Sequence, residues 1–233
     1  MSPKVENHVI ILAAGRGTRF GGSMPKQFVE VNGRPLLHYS LKTFLDHGAI
    51  DSVTVVLPED FIDFQLPLHG KLRQPVVGDV ERHRSTIRAL HSLETGDNDR
   101  VLIHDAARPL VSAELIWSVC VALDGGADLV APAIPIDDAI IDVRHLYVVE
   151  RATYAALQTP QGFRVNLLRN SMARFLEMDG EDSWTPTCEF EIVRNINQSA
   201  KAQLLDGCFR NHKVTRDFDA MRLRTILPPG ENA

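Results

Sequence analysis

Disulfide chemistry is the first thing this chain lacks. Its three cysteines, Cys120, Cys188 and Cys208, are odd in number and lie far apart in 233 residues. They fit neither a disulfide framework nor a zinc site, and predict a reducing, cytoplasmic setting. Long apolar runs are missing as well. After a polar start the first such run, Val9 to Ala14, covers six residues. A signal peptide needs a longer apolar core, and a spanning helix about 20 apolar residues. No membrane partner is expected. Nor is there a basic block: the formal charge is −5, and a nucleic-acid backbone demands clustered Lys and Arg. The nine histidines show no metal-ligand spacing. No Ser–His–Asp set or Cys–His pair stands in a recognisable motif.

What remains is an ordinary globular composition, with 44% hydrophobic and 24% charged residues. The length predicts a single domain over residues 1–233. A chain of this size buries roughly 70% of its unfolded surface and needs no staples. No internal repeat or low-complexity tract interrupts it.

Short, fully apolar runs read as strands buried on both faces, the mark of a parallel sheet. They are Val9–Ala14, Val53–Leu57, Val101–Ile103 and Leu129–Ala133, with a late one near Ala202–Leu205. Helical patterns alternate with them. Pro35 to His47 carries Leu36, Leu37, Leu41 and Phe44 on one stripe. Arg82–Leu93, Ser112–Leu123 (Ser112 as N-cap), Val165–Leu176 and Thr215–Leu227 follow, with Thr215 able to cap the last. The alternation predicts a doubly wound, mostly parallel α/β sheet, with ligands beyond the carboxyl ends of its strands. Asp137 to Glu150 breaks the rhythm. Its β-branched alternation around Arg144-His145 reads as a short projecting hairpin, either an edge hairpin of the same domain or a dimer arm at about 137–151.

The strongest local signal follows the first strand: Leu12-Ala13-Ala14-Gly15-Arg16-Gly17-Thr18-Arg19-Phe20-Gly21. A glycine-rich loop there brings bare backbone N–H groups, those of Ala13, Ala14, Gly15 and Gly17, toward phosphate oxygens. Two familiar phosphate loops fail to match. The dinucleotide fingerprint needs glycine where Phe20 stands, and the P-loop needs Gly-Lys-Ser/Thr where Gly21-Gly22-Ser23 stands. The loop has cations instead: Arg16, Arg19 and then Lys26 in Pro25-Lys26-Gln27-Phe28. Fixed guanidinium forks and a mobile ammonium suit a polyphosphate whose charge is redistributed in reaction. Asp105 ends a buried strand at the carboxyl edge, where one carboxylate plus substrate phosphates can hold Mg²⁺. The lesser alternative is a cap to the next segment.

These residues together carry a resemblance. Leu-Ala-Ala-Gly-x-Gly-x-Arg with Pro-Lys-Gln-Phe resembles the methylerythritol-phosphate cytidylyltransferases and the related ribitol-phosphate cytidylyltransferases. His104-Asp105-Ala106-Ala107-Arg108-Pro109, Gln158-Thr159-Pro160-Gln161 and Asn211-His212-Lys213-Val214-Thr215 continue it in order along nearly the whole chain. The resemblance implies a Rossmann-like nucleotidyltransferase fold, CTP and a polyol phosphate as substrates, Mg²⁺ at Asp105, and a homodimer. It implies catalytic roles for Arg19, Lys26 and Lys213. Gly78 through Ser85 resembles the segment that reads cytosine and ribose, with Ser85 the matching serine and Asp79 in place of the usual second glycine. Arg108, Arg151 and Thr187 match positions that meet the acceptor, the last two from across the dimer.

The acceptor itself is read two ways. His-Asp-Ala-Ala-Arg-Pro and Gln-Thr-Pro-Gln-Gly-Phe favour 2-C-methyl-D-erythritol 4-phosphate. Ala139 in place of a threonine, Thr187-Cys188-Glu189-Phe190, Arg82-His83-Arg84-Ser85 and the short hairpin lean toward ribitol 5-phosphate. Readings of another class are a nicotinamide dehydrogenase, which Phe20 and the basic loop oppose, and a nucleotide-binding regulatory module without catalysis. A nucleotidyltransferase using UTP or GTP also stays open, since a glycine loop does not choose the base.

Overall fold

The computed structural model describes residues 4–16, 24–96, 98–178 and 184–227. Its first half comprises β1 (Asn7–Leu12), β2 (Glu30–Val31), β3 (Arg34–Pro35), α1 (Leu36–Asp46), β4 (Ser52–Leu57), β5 (Val76–Val77) and α2 (Arg82–Ser92). Then come β6 (Arg100–Asp105), α3 (Ala113–Asp124), β7 (Leu129–Pro135), β8 (Ile141–Asp142) and β9 (Tyr147–Val148). The chain closes with β10 (Ala155–Leu157), β11 (Gln161–Arg164), α4 (Val165–Glu177), α5 (Glu189–Ile196), β12 (Ala202–Asp206) and α6 (Asp217–Ile226).

Eight strands form the central sheet in the order β10-β7-β11-β6-β1-β4-β5, with β12 on the far edge of β7. The apolar runs are its parallel strands: β1, β4, β6 and the start of β7 are covered on both faces, whereas β12, expected to be buried as well, lies largely exposed at the edge of the sheet. Val9 and Ile11 of β1 pack with Leu37, Leu41 and Phe44 of α1 and Ile116 and Val119 of α3. Ile10, between them, joins Val101 and Ile103 of β6, Leu90 of α2, and Leu168 and Met172 of α4 on the opposite face. Burying each such side chain contributes about 1.5–3 kcal/mol. A third cluster, Val31, Leu36, Tyr39, Val214, Leu223 and Leu227, docks α6 against β2 and α1.

Two further features depart from the sequence expectation. The first is β11, which runs antiparallel between β6 and β7. Its glycine is required by packing: a Cβ on Gly162 would stand 2.5 Å from Val119 Cγ1 and 2.9 Å from Leu123 Cδ1 of α3. An antiparallel insertion puts the start of β11, and Gln158-Thr159 just before it, at the carboxyl edge of the parallel strands. The second is the cap of the last helix. Arg216, not Thr215, is its N-cap, and α6 begins at Asp217. The Asp219 carboxylate accepts from the N–H groups of Thr215 and Arg216, both at 2.8 Å, and so completes the first turn. Ser112 does cap α3, accepting from Leu115 N–H at 3.2 Å.

The expected hairpin is present, shorter than its sequence span. Ile141 and Asp142 pair antiparallel with Val148 and Tyr147. Val143, Leu146 and Val148 are 80%, 76% and 66% exposed, so this chain's own fold does not cover the arm's apolar side. Among the described residues no helix is long and apolar enough to cross a membrane.

Candidate active site

The glycine-rich segment leaves β1 at its carboxyl end, where Ala13 N–H donates to Val56 O at 2.8 Å. Gln27 then pins it, its amide donating to Ala13 O at 2.5 Å and Gly15 O at 2.9 Å. Gln27 is buried, and Phe28 beside it stacks on Phe61 with centroids 4.3 Å apart. In Pro-Lys-Gln-Phe, therefore, the glutamine and the phenylalanine anchor the turn and the lysine is what it presents. Lys26 Nζ donates to Val214 O at 2.6 Å, which joins this turn to the segment before α6. Gly17 and Arg19 lie outside the described residues.

Across from β1, in register with Leu12, Asp105 ends β6. Its backbone N–H donates to Thr159 Oγ1 at 3.1 Å, and that hydroxyl lies 3.1 Å from His104 Nδ1. Burial pushes His104 down to about 4, so the ring is neutral near pH 7. A neutral ring carries one N–H: Nε2 donates to Arg108 O at 3.1 Å, and Nδ1 accepts from the Thr159 hydroxyl. The loop from Asp105 to Arg108 is thereby fixed from beneath.

The Asp105 carboxylate is 6% exposed and faces three cations. Arg82 Nη1 donates to Oδ1, Lys213 Nζ lies 2.9 Å from Oδ2, and Arg108 Nε lies 3.6 Å from Oδ2. Burial alone would raise its pKa, yet Arg82, Lys213 and Arg108 hold it well below the usual carboxylate range. Arg82 is in turn shared with Glu189, the first residue of α5, which is fully buried. Lys26, Arg82 and Lys213 line one cleft against the carboxylates of Asp79 and Asp105, with Arg108 and Glu189 behind them, so the described residues carry a small cationic excess that attracts polyanions.

That cleft is a cavity of about 280 Å³. Ala13, Ala14 and Gly15 form one wall, Ser85 and Arg82 another, and Lys26, Asp105 and Lys213 converge on it. Ser85 Oγ accepts from Asp79 N–H at 2.8 Å, holding the turn before α2. Gly78 is needed there because a Cβ would meet Ala14 Cβ at 2.3 Å, so the Gly78 backbone packs directly against the Ala14 methyl.

The remaining expected residues lie elsewhere. Arg108 is buried behind Asp105, its Nη1 donating to Asn211 O at 2.8 Å. Arg151 sits exposed on the turn after the hairpin and donates to Asp137 O. Thr187 precedes α5, where its N–H and hydroxyl donate to Glu191 at 2.8 and 2.7 Å.

Sequence reasoning gave no individual role to four contributors. Gln158 and Thr159 clamp the segment that carries Lys213: Gln158 donates to Cys208 O and accepts from Cys208 N–H, at 2.9 and 3.0 Å, and Asn211 Nδ2 donates to Thr159 O at 2.8 Å. Three of the four motifs are thus parts of one interlocked unit. Their order along the chain signalled this in part. Arg82 stood inside a recognised segment with nothing local to set it apart from Arg84. Glu189 stood in the recognised Thr187–Phe190 segment, but nothing there signalled its burial or its pairing with Arg82, since an acid in a first helical turn is ordinarily exposed.

Comparison with known proteins agrees with this geometry. The family model described as 2-C-methyl-D-erythritol 4-phosphate cytidylyltransferase matches residues 7–228. A protein of that name from Clostridium perfringens is 35% identical over 221 residues, covering 90% of this chain and 93% of that protein. The bifunctional ribulose 5-phosphate reductase/CDP-ribitol pyrophosphorylase Bcs1 of Haemophilus influenzae is 32% identical over 232 residues, covering 93% of this chain and 47% of that protein. Among solved structures, the 4-diphosphocytidyl-2C-methyl-D-erythritol synthase of Anaerococcus prevotii superposes with a TM-score of 0.81 at 27% identity, covering 95% of this chain and 96% of that one.

Proposed function

The chain belongs to the 2-C-methyl-D-erythritol 4-phosphate cytidylyltransferase family, and from that premise we propose that it transfers CMP from CTP to the phosphate of 2-C-methyl-D-erythritol 4-phosphate, with release of pyrophosphate. It is a nucleotidyltransferase. One observation carries the assignment of its centre: Lys26, Lys213 and Asp105 line a single cavity against the loop Ala13–Ala14–Gly15.

An acceptor phosphate oxygen attacks the α-phosphorus of CTP in line. The attacking group is already anionic near neutral pH, because the second pKa of a phosphate monoester is about 6. No general base is required, and positioning and charge supply the catalysis. Lys26 and Lys213 take the oxygens of the reacting phosphate, with Arg19 assigned beside them as the third cation. Ala14, Gly15 and Gly17 offer backbone N–H groups to the nucleotide, while Ala13, whose N–H is spent on Val56 O, serves as cavity wall, and Ser85 holds the turn that faces the base and ribose.

A divalent metal, Mg²⁺ by its preference for carboxylate and phosphate oxygens, is part of the proposal. The donor set fits: Asp105 stays ionised and lines the cavity. Asp105 with the nucleotide's phosphates would hold the ion, which when bound neutralises phosphate charge. Arg108, Arg151 and Thr187 are assigned to the acceptor. In Arg108, Nε and Nη1 are turned to Asp105 and Asn211, so Nη2, 3.4 Å from Leu157 O, is the nitrogen left to meet a phosphate.

The hairpin is the proposed arm of a homodimer, through which Arg151 and Thr187 reach the other copy's acceptor. Burying Val143, Leu146 and Val148 between copies gives the arm its apolar face. Sedimentation velocity should show Leu146→Asp shifting dimer to monomer; an unchanged dimer removes the arm from the interface. A cytoplasmic setting completes the reading.

Ribitol 5-phosphate is a second acceptor candidate, favoured by the Haemophilus influenzae relative and by Cys188. Pyrophosphate release with CTP should be fastest on methylerythritol 4-phosphate, measured beside ribitol 5-phosphate and erythritol 4-phosphate, with UTP as nucleotide control. A ribitol 5-phosphate preference reassigns the acceptor, and release from UTP alone sinks the nucleotide assignment.

A further inference from the structure

Arg82 lies between two carboxylates of opposite character, and its nitrogens are divided between them. Nε and Nη2 both donate to Glu189 Oε2, at 3.1 and 3.0 Å, while Nη1 points to Asp105 at the cavity wall. Glu189 is 0% exposed; Arg82 is 25% exposed at its side chain and lines the cavity. The second Glu189 oxygen accepts from Thr86 Oγ1 at 2.7 Å, so both carboxylate oxygens are satisfied without water. The two carboxylates together raise the Arg82 pKa against the effect of burial, so the group remains a full cation.

A sealed ion pair of this kind is a poor source of stability. Desolvation of two charges consumes most of what their attraction gives, and apolar replacements are often as stable. What it does supply is orientation. Two N–H bonds converging on one buried oxygen restrict the orientation of the guanidinium, and the third nitrogen is then held at a defined place in the cavity.

We propose that Arg82 is a further triphosphate-binding residue of the nucleotide site and that Glu189, backed by Thr86, is its positioning residue. This deepens the functional reading above and rests on it. Asp105 is claimed both by Arg82 Nη1 and by the divalent ion that the phosphates bring. With the ion held at Asp105, Arg82 Nη1 would be released to a phosphate oxygen in the cavity that both residues line. The bonds to Glu189 survive the exchange, because they use different nitrogens. Arg82 thereby couples metal binding to triphosphate binding: the more fully Asp105 is occupied by the metal, the more fully the guanidinium is available to phosphate.

The coupling separates this role from a structural pin joining α2 to α5. Calorimetric titration of CTP and of inorganic pyrophosphate, each across a Mg²⁺ series, is run on wild type and on Arg82→Gln, Arg82→Lys and Thr86→Val. Cytidine binding is followed in parallel by saturation-transfer NMR, and thermal unfolding checks each fold. Arg82→Gln should lose about 10–100-fold in affinity for CTP and pyrophosphate, the span of one charged hydrogen bond. The dependence of CTP affinity on Mg²⁺ should flatten in the same variant, while cytidine binds as before. Arg82→Lys recovers part of the affinity, because the charge returns without the fork. Thr86→Val, which loosens the anchor and keeps the charge, should fall between wild type and Arg82→Gln. Wild-type CTP affinity in Arg82→Gln at every Mg²⁺ concentration overturns the proposal. So does a loss that is equal for cytidine and CTP. If wild type instead takes UTP over CTP, the functional reading fails while the same titrations with UTP still decide the role of Arg82.

Discussion

The two ends of β6 carry one buried aspartate each, and they are built to opposite purposes. Asp99 precedes the strand at the amino edge of the sheet, and Asp105 ends it at the carboxyl edge. Both carboxyls are held below their usual range against the effect of burial. Their partners differ. Asp99 accepts from the backbone N–H groups of Glu6 and Gly96, at 2.9 and 2.6 Å, and lies 3.4 Å from His8 Nε2. His8 is itself turned toward the Ser52 hydroxyl at 2.7 Å. These donors belong to the chain's own path and cannot leave without unfolding it. Asp105 is faced by three side chains, two of them lining an open cleft, that can exchange one anion for another. Burial and a lowered pKa therefore do not distinguish a staple from a functional carboxylate. The freedom of the partners does.

Four measurements test that contrast, beginning with the largest effect. Lys26→Ala should lower turnover about 10²–10³-fold, some 3–4 kcal/mol of barrier, with an unchanged unfolding midpoint. Near-full activity in this variant, measured by pyrophosphate release, removes the lysine from the centre. Next, His104 lies under the Asp105 loop, neutral, with a pKa near 4 against about 6.5 when unfolded. Between those values the unfolded chain binds the extra proton, so stability falls as pH drops from about 6.5 to 4, by up to about 3 kcal/mol, and levels off below. Denaturant unfolding across that range, with His104→Gln flattening the slope, checks it. Asp99→Asn should cost about 1–3 kcal/mol of stability and leave turnover alone. Because the folded carboxyl is depressed, its contribution is present above about pH 4 and is lost as pH falls toward the folded value; the variant loses less on acidification. Last, Glu6→Gln breaks only a 3.9 Å approach to His8 from a side chain 45% exposed, and should move stability by less than about 0.5 kcal/mol. A larger loss would mean that the amino-edge cluster depends on charge more than on backbone donors.

Much of the fold could be read in advance. Val9, Ile10 and Ile11 sit next to each other in sequence and on alternate faces of the sheet, so an unbroken apolar run had to mean cover on both sides. Ser112 at the start of α3 announced itself by residue type. The antiparallel β11 did not. Gln161–Arg164 is four residues long, holds a glycine and a charge, and owes its place to strands on both flanks. Thr215 looked like a cap, yet the helix starts at a residue pair chosen by Asp219.

The site divides in the same way. Alone, the chain's order of residues established which loops could cradle phosphate, which cations could serve it and where a strand had to end in Asp105, because these follow from local periodicity and side-chain chemistry. Only the folded arrangement decided that Arg82 and Lys213, far from Asp105 in the chain, would share its carboxylate, and that Glu189 would be sealed behind them. The physical reason is range. Periodicity records whether a residue is buried, whereas its partner is chosen by strand order and by the antiparallel insertion that brings distant segments to one edge of the sheet.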